Sequence, residues 1–274
     1  MTEDLKEILN LAKELARKSG EYILDHSRSN RRLELSLKSR RDIVTELDYW
    51  VESTIFQHVH ARYPDHVLIG EESAAKLVQN EERDLRGLIS TSISWIIDPI
   101  DGTVNFANRI PHYAVSIAVV FRGVREVGVV YDPSLDEMFT AVRGGGAFLN
   151  GVPIQSSNKN ELLDCVVGTG SPADWTGDIE RYSSAVQSLA RSARCLRRFG
   201  AASLDFCWVA CGRLDACFEP CLKPWDVAAG SLIAEEAGAK ICHFLPEGDD
   251  FFLTANSFLC GPEGLTQAIL RIIS

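Results

Sequence analysis

No stretch of this 274-residue chain is apolar for the length a membrane-spanning helix requires, so no transmembrane helix is expected. An excess of positive charge is also missing. Lys and Arg number 28 against 38 Asp and Glu, giving a net charge of −10 and a pI near 5.1. Such a surface repels nucleic acid and anionic membranes, so neither is expected as a direct partner. The opening "MTEDLKEILNLAKELARKSG" lacks the basic start and apolar centre of a secretion signal. Eight cysteines include no C-x-x-C pair, and the group Cys207, Cys211, Cys217 and Cys221 lacks the spacing of a zinc site. Free thiols in a reducing cytosol are the expectation, and the protein is read as cytoplasmic. G-x-S-x-G is absent too, which leaves serine-hydrolase chemistry without a signal. "RGGGAFLNG" fits neither the dinucleotide fingerprint nor the P-loop and reads as a turn followed by a bend at Asn150-Gly151.

What is present is a soluble, globular composition, 46% hydrophobic and 24% charged, long enough to bury a sizeable core. Leu5, Ile8, Leu9, Ala12, Leu15, Ala16 and Ile23 follow a helical period, with Thr2 as the expected N-cap. "RRLELSLKS" alternates Leu33, Leu35 and Leu37 and predicts a half-buried strand. Leu47, Val51, Ile55 and Val59 predict a second amphipathic helix. Strands are expected at "HVLIG", "WII", "AVSIAVVF", "EVGVVYD" and "EMFTAVR", after which strands and helices alternate to the end. No repeat and no low-complexity linker divides the chain. The expected organisation is mixed α/β. An N-terminal α+β subdomain over residues 1–160 and a C-terminal α/β subdomain over 161–274 share one continuous unit.

Three places set acids where strands end or helices begin. Glu71 and Glu72 follow "VLIG", Asp98 and Asp101 follow "WII", and Asp226 opens the "WDVAAG" helix. One such acid is an ordinary cap. Several carried to one sheet edge repel each other and take up protons unless a cation neutralises them. The candidate ligands are all oxygens, which favours Mg²⁺, with Mn²⁺ as a substitute, over zinc. Mg²⁺ keeps waters and recruits phosphate oxygens, so the pattern predicts phosphoryl chemistry. In "DPIDGT", Pro99 stiffens the bend, the Ile100 carbonyl can turn inward, Gly102 lets backbone approach an anion, and Thr103 adds a hydroxyl.

"GEES", "WIIDPIDGTVNF" and "KPWDVAAG", in this order, resemble the metal-binding signatures of the inositol monophosphatase family, from "DIVTELD" to "EEAG". The resemblance implies a layered αβαβα sandwich, a homodimer, lithium sensitivity, and Mg²⁺-dependent hydrolysis of small phosphate monoesters. It implies two ions, with a third weakly held, on Glu71, Asp98, the Ile100 carbonyl, Asp101 and Asp226. It assigns water activation to Thr103 with Asp48 and to Glu71, and phosphate contact to the backbone of Gly102 and Thr103. Substrate contacts extend to Ile100, Asp101 and Asp226, and the alcohol portion falls to Ala202 and Glu219. From the residues alone, Asp48 reads as an exposed acid in a helix's first turn. Arg109, Arg198 and Lys223 could also approach an anion, although long basic side chains usually lie on a surface. Val104 stands where the family often has a second threonine, and neither it nor the "VTELD" variant removes a ligand.

"DGTVNF" looks closest to the inositol branch, which makes inositol 1-phosphate the expected substrate. The same scaffold serves relatives acting on fructose 1,6-bisphosphate, on histidinol phosphate and on 3'-phosphoadenosine 5'-phosphate. Some bacterial relatives instead partner the transcription machinery, a regulatory alternative for this chain.

Overall fold

The computed structural model describes residues 3–29, 35–37, 43–74, 85–171, 179–244 and 257–273. Thr2 and Leu33 lie outside them. Helix α1 (Glu3–Arg28) buries Ile8, Ala12, Leu15, Ala16 and Ile23, and α2 (Glu46–Arg62) buries Leu47, Val51, Ile55 and Val59. These are the stripes that helical periodicity predicts, and each large aliphatic contributes roughly 1.5–3 kcal/mol when taken from water.

Both helices cover one face of a seven-stranded sheet, ordered β3 (Val67–Gly70), β4 (Ile93–Asp101), β5 (Ala114–Phe121), β6 (Val124–Asp132), β7 (Glu137–Val142), β8 (Ala147–Leu149) and β9 (Val152–Pro153). β3 and β4 run parallel and the remaining neighbours antiparallel. Successive side chains alternate between faces. Trp95, Ile97, Val115, Ile117 and Val119 pack toward α1 and α2, while Ile96, Ala114, Ala118 and Val120 pack into the other core. "WII" is therefore continuous because β4 is buried on both sides.

The opposite face carries α7 (Ala202–Ala210) and α8 (Pro224–Glu236), rich in small residues. Approach is close: a Cβ on Gly128 of β6 would stand 2.8 Å from the Ala229 carbonyl oxygen of α8. Beyond these helices lies a five-stranded sheet, ordered β11 (Cys195–Arg197), β10 (Val166–Thr169), β12 (Ala216–Pro220), β14 (Ser257–Gly261) and β13 (Lys240–Cys242). β10 is parallel to β11 and β12, and β14 is antiparallel to β12 and β13. Helices α6 (Ile179–Ser192) and α9 (Glu263–Ile273) close its outer face through Ala185, Leu189, Leu265 and Ile269. The fold is the layered αβαβα sandwich.

One expectation changes. β1 (Leu35–Leu37) pairs only with β2 (Ile43–Thr45), and Leu35 and Leu37 are exposed, because the described residues form a two-stranded ribbon with no layer beneath them. The glycine-rich loop does hold an anion, but one from its own chain. The Gly144 and Gly146 amides donate to the Glu236 carboxylate at 2.8 and 2.9 Å. The bend at Asn150 and Gly151 has both φ angles positive, as a tight hairpin turn requires. All eight cysteines are free thiols, and Cys217 and Cys260 face each other across β12 and β14.

Candidate active site

β3 ends beside β4 where Gly70 pairs with Ile97. The next residues, Glu71 and Asp98, therefore emerge at one edge. Residues 71–74 turn at once into a helical segment, α3. On β4 the pairing with β5 is broken between Asp98 and Asp101, the kink that Pro99 stiffens. The Ile100 amide donates to Asp98 Oδ1 at 3.1 Å, and the backbone turns through Gly102, at φ 91°, into α5 (Thr103–Ala107). A Cβ on Gly102 would lie 3.0 Å from the His112 carbonyl oxygen and 3.2 Å from Ala201 Cβ. Only glycine combines this φ with this crowding.

Asp101 is gripped from the far side of the sandwich. The N-terminus of α7 donates to it from Ala202 N at 3.1 Å and Ser203 N at 2.7 Å, and the Ser203 hydroxyl adds a bond of 2.5 Å. Ser203 was not singled out in the sequence, although "GAAS" announces a helix start. Asp226 occupies the first turn of α8, where its Oδ2 accepts from the Lys223 amide at 2.6 Å. Asn105, also not foreseen, ties α5 to the loop before α7 by donating to the carbonyls of His112 and Phe199 at 2.8 and 2.7 Å.

Asp48 corrects the reading from its neighbours. It is fully buried, not exposed, because Thr45 N and Thr45 Oγ1 donate to its Oδ2 at 2.8 and 2.6 Å in a capping box at the start of α2. Its Oδ1 then faces Thr103 Oγ1 at 3.4 Å. The Thr103 hydroxyl lies nearer the Ile100 carbonyl, at 2.9 Å. Glu219 is likewise deep, 3% exposed on β12, while Ala202 is partly exposed. Of the candidate cations, Arg109 and Arg198 are exposed; Arg198 reaches the Ser171 carbonyl at 3.4 Å. Lys223 lowers the proton affinity of Asp226.

The acids feel one another. Burial, with the Glu71 charge added, pushes Asp101 up to about 6 against the pull of its Ser203 and Ala202 bonds. Burial and the charges of Glu71 and Asp101 push Asp226 well above the usual carboxylate range. Burial and Asp205 do the same to Glu219. Among the described residues, no three His, Cys, Asp or Glu side chains are grouped to hold a metal ion as they stand. Carboxylates keep lone pairs beyond the bonds described, and an all-oxygen set whose members raise each other's proton affinity suits a hard divalent cation. Glu71, Asp98, Asp101, Asp226 and the Ile100 carbonyl fit that requirement chemically.

Comparison with known proteins agrees with this chemistry. The model of the inositol monophosphatase family matches residues 4–274. A protein of Pasteurella multocida called Nus factor SuhB is 40% identical over 266 residues, covering 97% of this chain and 95% of that protein. The crystal structure of the extragenic suppressor protein suhB from Bartonella henselae superposes with a TM-score of 0.86 at 32% identity, covering 98% of both chains. An IMPase from Thermotoga maritima gives 0.81 at 28%, covering 97% of this chain and 96% of its own.

Proposed function

The chain belongs to the inositol monophosphatase family, and from that premise we propose that it hydrolyses small phosphate monoesters, inositol 1-phosphate foremost, with Mg²⁺. Members of this family generally use Mg²⁺. The observation that carries the reading is the meeting of an acid cluster, Glu71, Asp101 and Asp226, with the Thr103–Asp48 contact at one sheet edge.

When bound, Mg²⁺ supplies Lewis-acid stabilisation of the phosphoryl and ester oxygens and lowers the pKa of a bound water. Glu71, Asp98, Asp101, Asp226 and the Ile100 carbonyl would hold it. Two ions with a weak third are the family expectation. The chain's own residues do the rest. The Thr103 hydroxyl has one proton and two acceptors, Ile100 O at 2.9 Å and Asp48 Oδ1 at 3.4 Å. Donation to Asp48 leaves the hydroxyl lone pairs to accept from an attacking water and aim it. Asp48 cannot drift, since the capping box fixes its other oxygen. The Gly102 and Thr103 backbone, at the open start of α5, receives phosphate oxygens. Glu219 and Ala202 border the alcohol portion. A cytoplasmic homodimer is the expected form.

The test is phosphate release from inositol 1-phosphate, glycerol 2-phosphate, fructose 1,6-bisphosphate, histidinol phosphate and 3'-phosphoadenosine 5'-phosphate, with and without Mg²⁺. Turnover should be Mg²⁺-dependent, highest on inositol 1-phosphate, and abolished by Asp98→Asn. Preference for another ester would keep the chemistry and change the substrate.

A second reading has its own observation, the name Nus factor carried by a relative 40% identical. It makes this chain a partner of the transcription machinery. Retention of RNA polymerase subunits by wild type and Asp98→Asn alike would favour it. Loss of retention in both would remove it.

A further inference from the structure

Behind the proposed alcohol contact sits a second buried acid with no role so far. Asp205, on α7, is 1% exposed, and no N–H or hydroxyl donor of the described residues reaches either of its oxygens. Burying a carboxylate so bare is costly. The amides at the start of α7 cannot answer it, since Ala202 and Ser203 donate to Asp101 one turn earlier. What does stand beside Asp205 is the carboxyl of Glu219 on β12: their interaction lowers the proton affinity of Asp205 and raises that of Glu219. Two carboxyls can bond only by sharing a proton.

The neighbouring strand is shaped around this pair. Gly168 and Gly170, two residues apart at the end of β10, face the same side. A Cβ on Gly168 would stand 3.4 Å from Asp205 Oδ2, and one on Gly170 would fall 1.8 Å from Glu219 Oε2. "GTG" therefore clears the space in which the two acids lie. Gly170 admits no side chain while Glu219 keeps its place.

We propose that Asp205 is a positioning residue that holds Glu219 through a carboxyl–carboxyl hydrogen bond, so that Glu219 offers one fixed oxygen to a hydroxyl of the substrate alcohol. The role is discrimination between alcohols, not chemistry at phosphorus. Glu219 donates its proton to Asp205, and its other oxygen stays an acceptor facing the site. The inference rests on the reading of Glu219 as an alcohol contact, which the test isolates. Proton affinities agree with it: Asp205 is pushed up to about 7 and Glu219 well above the usual carboxylate range, chiefly by burial.

The experiment compares inositol 1-phosphate with phenyl phosphate, which has no hydroxyl, in wild type, Asp205→Ala, Asp205→Asn and Glu219→Ala. Asp205→Ala should raise KM for the polyol ester about tenfold relative to the phenyl ester, the scale of one hydrogen bond to a charged group. The kcat on phenyl phosphate should not move. Asp205→Asn should restore the ratio, because its amide can donate to Glu219 where the shared proton was. Infrared difference spectra of the Mg²⁺-loaded protein, wild type minus Asp205→Asn, should show a protonated carboxyl at neutral pH. A ratio moved by Glu219→Ala but not by Asp205→Ala overturns this proposal alone. Equal losses on both esters in Asp205→Ala, not rescued by Asn, do the same. A ratio unmoved by Glu219→Ala overturns the alcohol contact and this proposal together.

Discussion

Thr103 Oγ1 stands 3.4 Å from Asp48 Oδ1, joining residues 55 positions apart and two different helix starts. The hydroxyl's single proton is shared in competition with the Ile100 carbonyl. Removing the hydroxyl removes the group proposed to aim the water and leaves the acids in place. Thr103→Ala should lower kcat on the order of a hundredfold or more with little change in KM, and Thr103→Ser should keep most of it. Steady-state kinetics at saturating Mg²⁺ decide it; a KM effect without a kcat effect would sink the role.

Asp48 has two duties where Thr103 has one. Asp48→Ala deletes the capping box along with the contact to Thr103, so it should cost about 1–2 kcal/mol of stability besides activity. Chemical denaturation of both variants separates the duties. Equal stability in Asp48→Ala and Thr103→Ala would count against the cap as a source of stability.

The acid cluster predicts an inverted pH response. In the fold burial pushes Asp101 up to about 6 and Asp205 up to about 7, against 3.8 for the unfolded side chain, and Asp226 shifts in the same direction. The folded state thus binds more protons than the unfolded chain in this window. Stability from these groups is complete below the unfolded value and is lost as pH rises through the folded ones. Without metal, Tm should fall between about pH 5 and 8, and Mg²⁺ should raise it strongly at the upper end but weakly at the lower, where protons compete for the same oxygens. Differential scanning with Mg²⁺ or chelator checks this; an Mg²⁺ effect equal at both ends would show that the acids are not where the ion acts.

Gly102 fixes the route from β4 into α5. Gly102→Ala places a Cβ against the His112 carbonyl at a φ of 91°. A cost of roughly 1–2 kcal/mol is expected, together with loss of turnover, because the backbone proposed to receive phosphate must move. Near-normal activity in a stable Gly102→Ala protein would show that the positive φ is not required.

Much of this was legible in order along the chain. The stripes of α1 and α2, the doubly buried β4 and the break after Asp98 follow from local periodicity and from proline and glycine, which act within a few residues. The proposal of an oxygen-only ligand set for a hard cation also rests on residue types. Tertiary structure decided what periodicity cannot carry. Asp48 reads as solvent-exposed from its neighbours, and only the tertiary packing that brings β2 and the start of α2 to α5 buries it beside Thr103. Leu35 and Leu37 alternate like a buried strand, yet their ribbon finds no layer among the described residues. Ser203 and Asn105 look like ordinary helix polar residues, because hydrogen bonds across about a hundred positions leave no spacing in the sequence. Burial, which costs charge its hydration, then turned Asp101, Asp205, Glu219 and Asp226 from separate acids into one coupled set.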